Sequence, residues 1–166
     1  MDRFRHWIDH SLRVWGALPA GARAIVPVAI MGFLWWSSSK QPSTMPVSQF
    51  RALLHNGMHV LAYAVLGGSL MLTFDGRRTP APFHRLAAAW SLLVAVAYGA
   101  VDELHQSYVP GRVCSPADLW ADGSGAALAV AALGAWRNGH RACATALPYC
   151  VASSILSVVC ATWGPW

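Results

Sequence analysis

From Leu86 to Val101 the chain carries no charged side chain, and Leu119 to Trp136 is nearly as apolar. The stretch joining them, Asp102-Glu103-Leu104-His105-Gln106-Ser107-Tyr108-Val109-Pro110-Gly111-Arg112, is strongly polar and continues through Ser115, Pro116, Asp118 and Asp122. Charges placed where hydrocarbon begins are costly unless they are paired or hydrated. A fold that accepts this sequence therefore gathers those groups on a protein-facing surface near one edge of an apolar body.

Of the 166 residues 55% are hydrophobic and only 11% charged, with a mean hydropathy of +0.40. A soluble domain of this length carries about a quarter charged residues, so the surplus apolar surface faces something other than water. A bilayer is that solvent, because helices satisfy their backbone groups internally while exposing apolar side chains. Nine tryptophans fit the same setting, since indoles favour the membrane interface. The net charge of +5 is carried by basic residues lying mainly between apolar segments. That distribution marks topology and contact with anionic headgroups; no nucleic-acid partner is expected. Cys114, Cys143, Cys150 and Cys160 lack the close paired spacing of a zinc or redox centre.

In the first twenty residues Phe4, Trp7, Ile8, Leu12 and Trp15 recur at helical intervals opposite Arg3, Arg5, Asp9 and Arg13. This predicts a short amphipathic helix on the membrane surface, broken at Leu18-Pro19-Ala20-Gly21 and retained in the mature chain. Apolar segments follow at about 22–36, containing Pro27, 53–74, 86–101 with a possible run to Ser107, 119–136 and 146–163. Polar connections with Lys40, Pro42 and Pro46, with Arg77, Arg78, Pro80 and Pro82, and with Arg137 to Arg141 separate them. The expected fold is all-α: a polytopic membrane helical bundle of about five transmembrane helices. Its units are an interfacial segment at 1–21, a membrane domain at 22–141 and a further C-terminal membrane helix at 142–166. Arg3, Arg5, Arg13, Arg23, Arg77, Arg78, Arg85, Arg137 and Arg141 fall on one side of such a bundle, against Lys40, Arg51 and Arg112 on the other. The bias predicts a cytoplasmic N-terminus and places the polar stretch at the external face.

Ser115-Pro116-Ala117-Asp118 reads as a helix start, with a serine cap, proline in the first turn and a capping-box carboxylate. Beyond it Ala117, Ala121, Gly125 and Ala129 form a small-residue stripe suited to close helix contact, with Asp118 and Asp122 on the adjacent stripe. Asp122 has no capping duty and is the more informative carboxylate. Asp102, Glu103 and Gln106 share a face if the preceding helix persists, and paired carboxylates suit general acid/base work when burial separates their proton affinities. A salt bridge to Arg112 explains the same pair. His59 and Tyr63 share a helix face, with His55 one turn earlier. The imidazole suits proton exchange and the phenol a polar ligand, or the two link helices structurally. Arg112 presents a fork of donors matched to phosphate or carboxylate, or it bridges Asp102, Glu103 or Asp118. The histidines lack a ligand spacing such as His-Glu-x-x-His, so neither a metal nor another cofactor is expected.

Three stretches together resemble the VanZ-like membrane protein family: Gly57-Met58-His59-Val60-Leu61-Ala62-Tyr63-Ala64-Val65-Leu66-Gly67, Asp102 to Arg112, and Asp118 with Asp122 and Gly125. Ser37 to Pro42 is similar to the family's polar stretch after its first helix, and the likeness spans about 33–136. The resemblance implies a compact four-helix membrane core to which the last apolar segment is added. It also implies roles for His59, Tyr63, Asp102, Glu103, Gln106, Arg112 and Asp118, which stand at the family's recurrent polar positions. Asn56 stands where many relatives carry lysine, and Asp122 where many carry asparagine. One branch of the family is associated with reduced susceptibility to the glycopeptide teicoplanin. The expectation is a multi-pass protein of the bacterial cytoplasmic membrane that binds or modifies an envelope lipid or lipid-linked cell-wall precursor at the external face. In its enzymatic form Asp102 or Glu103 activates water or a hydroxyl, His59 carries the proton, and Tyr63, Gln106, Arg112, Asp118 and Asp122 hold the ligand. A non-catalytic lipid- or drug-binding protein, or a structural charge network, uses the same residues; a homo-oligomer is compatible with each.

Overall fold

A computed structural model describes residues 2–42, 48–76, 84–138 and 141–164. They form α1 (Asp2–Ala17), α2 (Ala20–Ser38), α3 (Gln49–Asp75), α4 (Arg85–Gln106), α5 (Pro116–Asn138) and α6 (Arg141–Trp163). Pro46, Arg77, Arg78, Pro80, Pro82, Gly139 and His140, and the side chains of Arg5 and Arg137, lie outside the described residues.

The helix boundaries follow from local chemistry. Pro19, extended at φ −62° and ψ 153°, separates α1 from α2, since proline has no amide hydrogen to continue a helix. α2 runs on through Pro27. α3 starts a turn ahead of the apolar run because the Ser48 hydroxyl accepts from the Arg51 amide at 3.3 Å. It ends at Gly76, whose left-handed φ of 57° lets the chain leave the helix. The His84 ring caps α4, accepting from the Ala87 amide at 3.1 Å. Ser115 caps α5, accepting from the Asp118 amide at 3.4 Å. α6 begins five residues ahead of the apolar run and holds Pro148 inside it.

The distribution of polarity is inverted relative to a soluble protein. Ile25, Val28, Phe33, Leu61, Leu86, Leu93, Ile155 and Leu156 are more than half exposed, whereas Asp102, Glu103, Gln106 and Asp122 are buried. Apolar surface on this scale is stable against lipid, not against water. α2, α3, α4 and α6 are long and apolar enough to cross a membrane. α5 is equally long but is not among them. Its carboxylates and small residues lower its hydropathy, and it needs little lipid-facing surface because α3, α4 and α6 all pack on it.

The small-residue stripe sets the closest of these contacts. Against α3, a side chain at Gly125 would run into the Val60 carbonyl, and one at Gly67 into the Ala126 backbone. Ala117 and Ala121 are buried on the same stripe. Tyr63, Leu66, Leu70, Ala95 and Ala126 form the main apolar cluster, backed by Ile30, Met31 and Leu34 of α2. Tyr98 donates its hydroxyl to the Met31 carbonyl, tying α4 to the middle of α2. At the far end Phe4 of α1 meets Trp136 of α5 edge to face, with ring centroids 6.5 Å apart.

Candidate functional site

The polar residues collect at one end of the bundle, where α2 and α4 finish and α3 and α5 begin. Helical spacing puts Gly99, Asp102, Glu103 and Gln106 on the buried face of α4. The Asp102 carboxylate is fully engaged: Oδ1 accepts from Ser38 Oγ at 2.6 Å and Oδ2 from Gln106 Nε2 at 3.1 Å. Gln106 Oε1 in turn accepts from Arg112 Nη1 at 3.5 Å. Arg112 also donates through Nε to the Lys40 carbonyl at 3.1 Å and through Nη2 to the Ser37 carbonyl at 3.3 Å. It thus ties the end of α2, through two carbonyls, to the Gln106 amide of α4, and forms no ion pair with Asp102, Glu103 or Asp118.

The one ion pair among the described residues joins His59 Nδ1 to Asp122 Oδ1 at 2.9 Å, with side chains 13% and 1% exposed. Asp122 Oδ2 has no protein partner. It lies over Gly99, where a Cβ would stand 3.1 Å from it and 3.3 Å from Tyr63 Cε1. Glycine is thus the residue that lets α4 carry its carboxylates this close to Asp122. Tyr63 is only 1% exposed, and its hydroxyl lies within interaction range of the Asp122 carboxylate.

Glu103 holds the loop. Its Oε2 accepts from the Ser115 amide at 2.8 Å while Oε1 is buried without a partner. Sequence reasoning assigned that reciprocal capping duty to Asp118. α4 supplies it instead, because Glu103 faces the turn from inside, while Asp118 is only half-buried. Glu103, Asp118, Asp122 and His59 nonetheless lie within electrostatic reach of one another.

A cavity of about 60 Å³ opens among Ser37, Ser38, His55, His59, Asp102, Gln106 and Arg112, with Leu34 as its apolar wall. It has room for a few waters or a group of roughly phosphate size. Four of the eight residues expected at the site therefore line one space: His59, Asp102, Gln106 and Arg112. Asp122 stands behind His59, Tyr63 lies deeper, and Glu103 and Asp118 border the adjoining loop. His55, one turn before His59 and outside the eight, joins the lining with its ring centroid 5.1 Å from that of His59. Sequence reasoning did not single out Ser38 from a run of three serines. His105 turns away from the cavity, stacking on Trp35 at 3.9 Å and meeting Ser39 Oγ through Nε2 at 2.9 Å.

Long apolar helices, apolar exteriors and a buried polar cluster at one end define a multi-pass membrane protein with a small polar chamber. The chain belongs to the VanZ/LLP1 family, whose model matches residues 20–137 and so takes in α2 to α5. No curated protein and no solved structure matches it. The family match accounts for every chamber residue and leaves out α1 and α6.

Proposed function

We propose that the chamber receives the anionic head of an envelope lipid or lipid-linked cell-wall precursor at the external face of the bacterial cytoplasmic membrane. The observation that carries this reading is the cavity itself, where Arg112 and two histidines face one space. Arg112 has five N–H groups and uses three on protein acceptors, so an Nη1–H and an Nη2–H remain for a phosphate or carboxylate oxygen. His59 supplies the chemistry. Asp122 accepts at Nδ1, which leaves Nε2 as the nitrogen available to take a proton from water or a hydroxyl. In this arrangement Asp102 positions Ser38 and Gln106, and Glu103 holds the loop, so the base is His59 and not either carboxylate.

The orientation rests on the basic residues: of those described, Arg23, Arg85 and Arg141 stand at the helix ends away from the chamber and Arg3 and Arg13 on α1, against Lys40, Arg51 and Arg112 at the chamber end. α5 is the fifth span, hidden from lipid by its neighbours. The N-terminus is then cytoplasmic and Cys114, exposed beside the chamber, is external. In a background where Cys160, near the external end of α6, is replaced by serine, impermeant maleimide added to intact cells is expected to label Cys114 and to miss the further Cys114→Ser variant. Labelling that requires lysis overturns the orientation.

Binding and turnover are separated by purified protein in nanodiscs offered a panel of external-leaflet lipids and cell-wall precursors. Arg112→Gln removes the charged hydrogen bonds and is expected to weaken binding about tenfold or more, for an interaction of ~1.5–3 kcal/mol. His59→Gln is expected to keep binding and lose product. Saturable binding without product in the intact protein supports the second reading, a binding protein, which the full engagement of Asp102 favours. No saturable ligand in the panel sinks both. Sequestering or altering a cell-wall precursor here would shift glycopeptide susceptibility, teicoplanin included.

A further inference from the structure

An anionic lipid can present its phosphate as a diester, as a terminal monoester or as the first half of a pyrophosphate, and the size, charge and rim of the chamber separate these. The floor is blind. Ser38, Asp102 and Gln106 are buried, and His59, 13% exposed, is backed by Asp122. With about 60 Å³ the space takes one phosphate group and has no room for a second phosphate or a sugar behind it.

The charge balance is equally narrow. Asp102 accepts hydrogen bonds on both oxygens, from Ser38 and from Gln106, as an ionised carboxylate does. It faces the same space as Arg112. His59 is matched by Asp122 at 2.9 Å, and an imidazole such as that of His55 is mostly neutral at pH 7. The two N–H groups left on Arg112 therefore suit one negative charge spread over two oxygens. A second charge would sit beside the Asp102 carboxylate, away from water and with no cation of its own, which is costly. The rim adds a third constraint: Ser37 on α2 and His55 on α3 are exposed, Leu34 and Arg112 half-buried, and these four surround the opening. Leu34 is apolar, and Met58, three residues after His55 on α3, is 56% exposed. Ser37 and Arg112 are polar, so the edge of the chamber suits hydrocarbon on one side and water on the other.

We infer that the chamber selects a phosphodiester: the two unesterified oxygens of a glycerophospholipid enter head-on and take the Arg112 N–H groups, while its two ester arms diverge over the rim, the diacylglycerol past Leu34 and the head alcohol past Ser37. A phosphomonoester brings about −1.5 to −2 charges at pH 7, and a pyrophosphate adds bulk as well as charge, so both are disfavoured. The inference rests on the chamber reading proposed above and narrows it to one class of lipid head.

Lipids that share the same two oleoyl chains isolate the head. Phosphatidylglycerol, phosphatidic acid and diacylglycerol pyrophosphate are offered in equal amounts to the full chain in maltoside micelles, and the bound species are weighed by native mass spectrometry. Phosphatidylglycerol is expected to be retained about tenfold over either competitor, and Arg112→Gln to abolish that preference. Asp102→Asn removes the negative charge and keeps the shape of the side chain. It should bring phosphatidic acid close to parity while the pyrophosphate stays excluded by size. Equal, Arg112-dependent retention of all three overturns the inference and leaves the chamber as a general anion site. A preference for phosphatidic acid or for the pyrophosphate overturns it too, as does an unchanged order in a folded Asp102→Asn protein. Retention that Arg112→Gln alters for none of the three removes the chamber reading itself. Should Asp102→Asn fail to fold, the order of the three lipids on the intact protein and on Arg112→Gln decides the question.

Discussion

Replacing Gly125 with alanine is expected to cost about 3 kcal/mol or more, enough to remove most of the folded protein from a detergent extract. The added Cβ would lie 2.2 Å from the Val60 oxygen, 2.9 Å from its carbonyl carbon and 3.0 Å from its Cα. All three are backbone atoms of α3, so relief requires moving a whole helix. Gly67→Ala tests the same interface from the other side, 2.8 Å from Ala126 Cα. The controls are Gly32→Ala and Gly57→Ala, where nothing lies within 4 Å. There the better helix propensity of alanine should be neutral or stabilising by up to ~1 kcal/mol. Thermal unfolding followed by circular dichroism separates the two groups. A Gly125→Ala protein melting alongside Gly57→Ala would mean that α3 and α5 do not approach as described.

Asp122→Asn is expected to leave the fold nearly unchanged and to disable the chamber. Asparagine matches the shape of aspartate beside Gly99, so the packing of α3, α4 and α5 survives. What changes is the partner of His59 Nδ1: a carboxylate accepts only, whereas an amide that turns its nitrogen inward donates and forces the ring proton onto Nε2. The nitrogen facing the chamber then ceases to be a base. On the catalytic reading turnover falls by ~10²–10⁴, the scale on which loss of a histidine-orienting carboxylate acts elsewhere. On the binding reading headgroup affinity changes little. Imidazole ¹⁵N shifts of His59 report the tautomer directly. An unchanged tautomer together with unchanged turnover would remove the His59–Asp122 pair from the mechanism.

The elements that could be read from the chain are those fixed by local pattern. The break at Pro19, the Ser115 cap and the four-residue small stripe of α5 each depend on neighbours a turn away, and each is where periodicity puts it. Asp122 falls on the interior side for the same reason. The chamber was legible only as a list of polar residues, because its bonds are long-range. Ser38 meets Asp102 across 64 positions and His59 meets Asp122 across 63. Nothing in a run of three serines says which one will face a carboxylate. The roles of the acids were also hidden: Glu103 became the loop holder because the turn at Gly111, with φ of 82°, folds Ser115 back onto it. Gly99 gave no signal of its own, although it sits three and four residues before Asp102 and Glu103 on the same face.

The centrality of α5 bears on how the protein is made. A carboxylate deep in a lone spanning helix costs about 2.5–3.5 kcal/mol on insertion, and α5 carries Asp118 and Asp122 in its first turns while being the least lipid-facing of the long helices. It follows α3 and α4 in the chain, so when it leaves the ribosome its destination already exists: His59 to pair with Asp122, Gly67 and Gly99 to admit it, and Glu103 to hold its first amide. If α5 enters the bilayer after them, order of synthesis substitutes for hydrophobicity. Moving α5 ahead of α3 by circular permutation would present the same residues to bare lipid, with composition unchanged and the means of insertion gone.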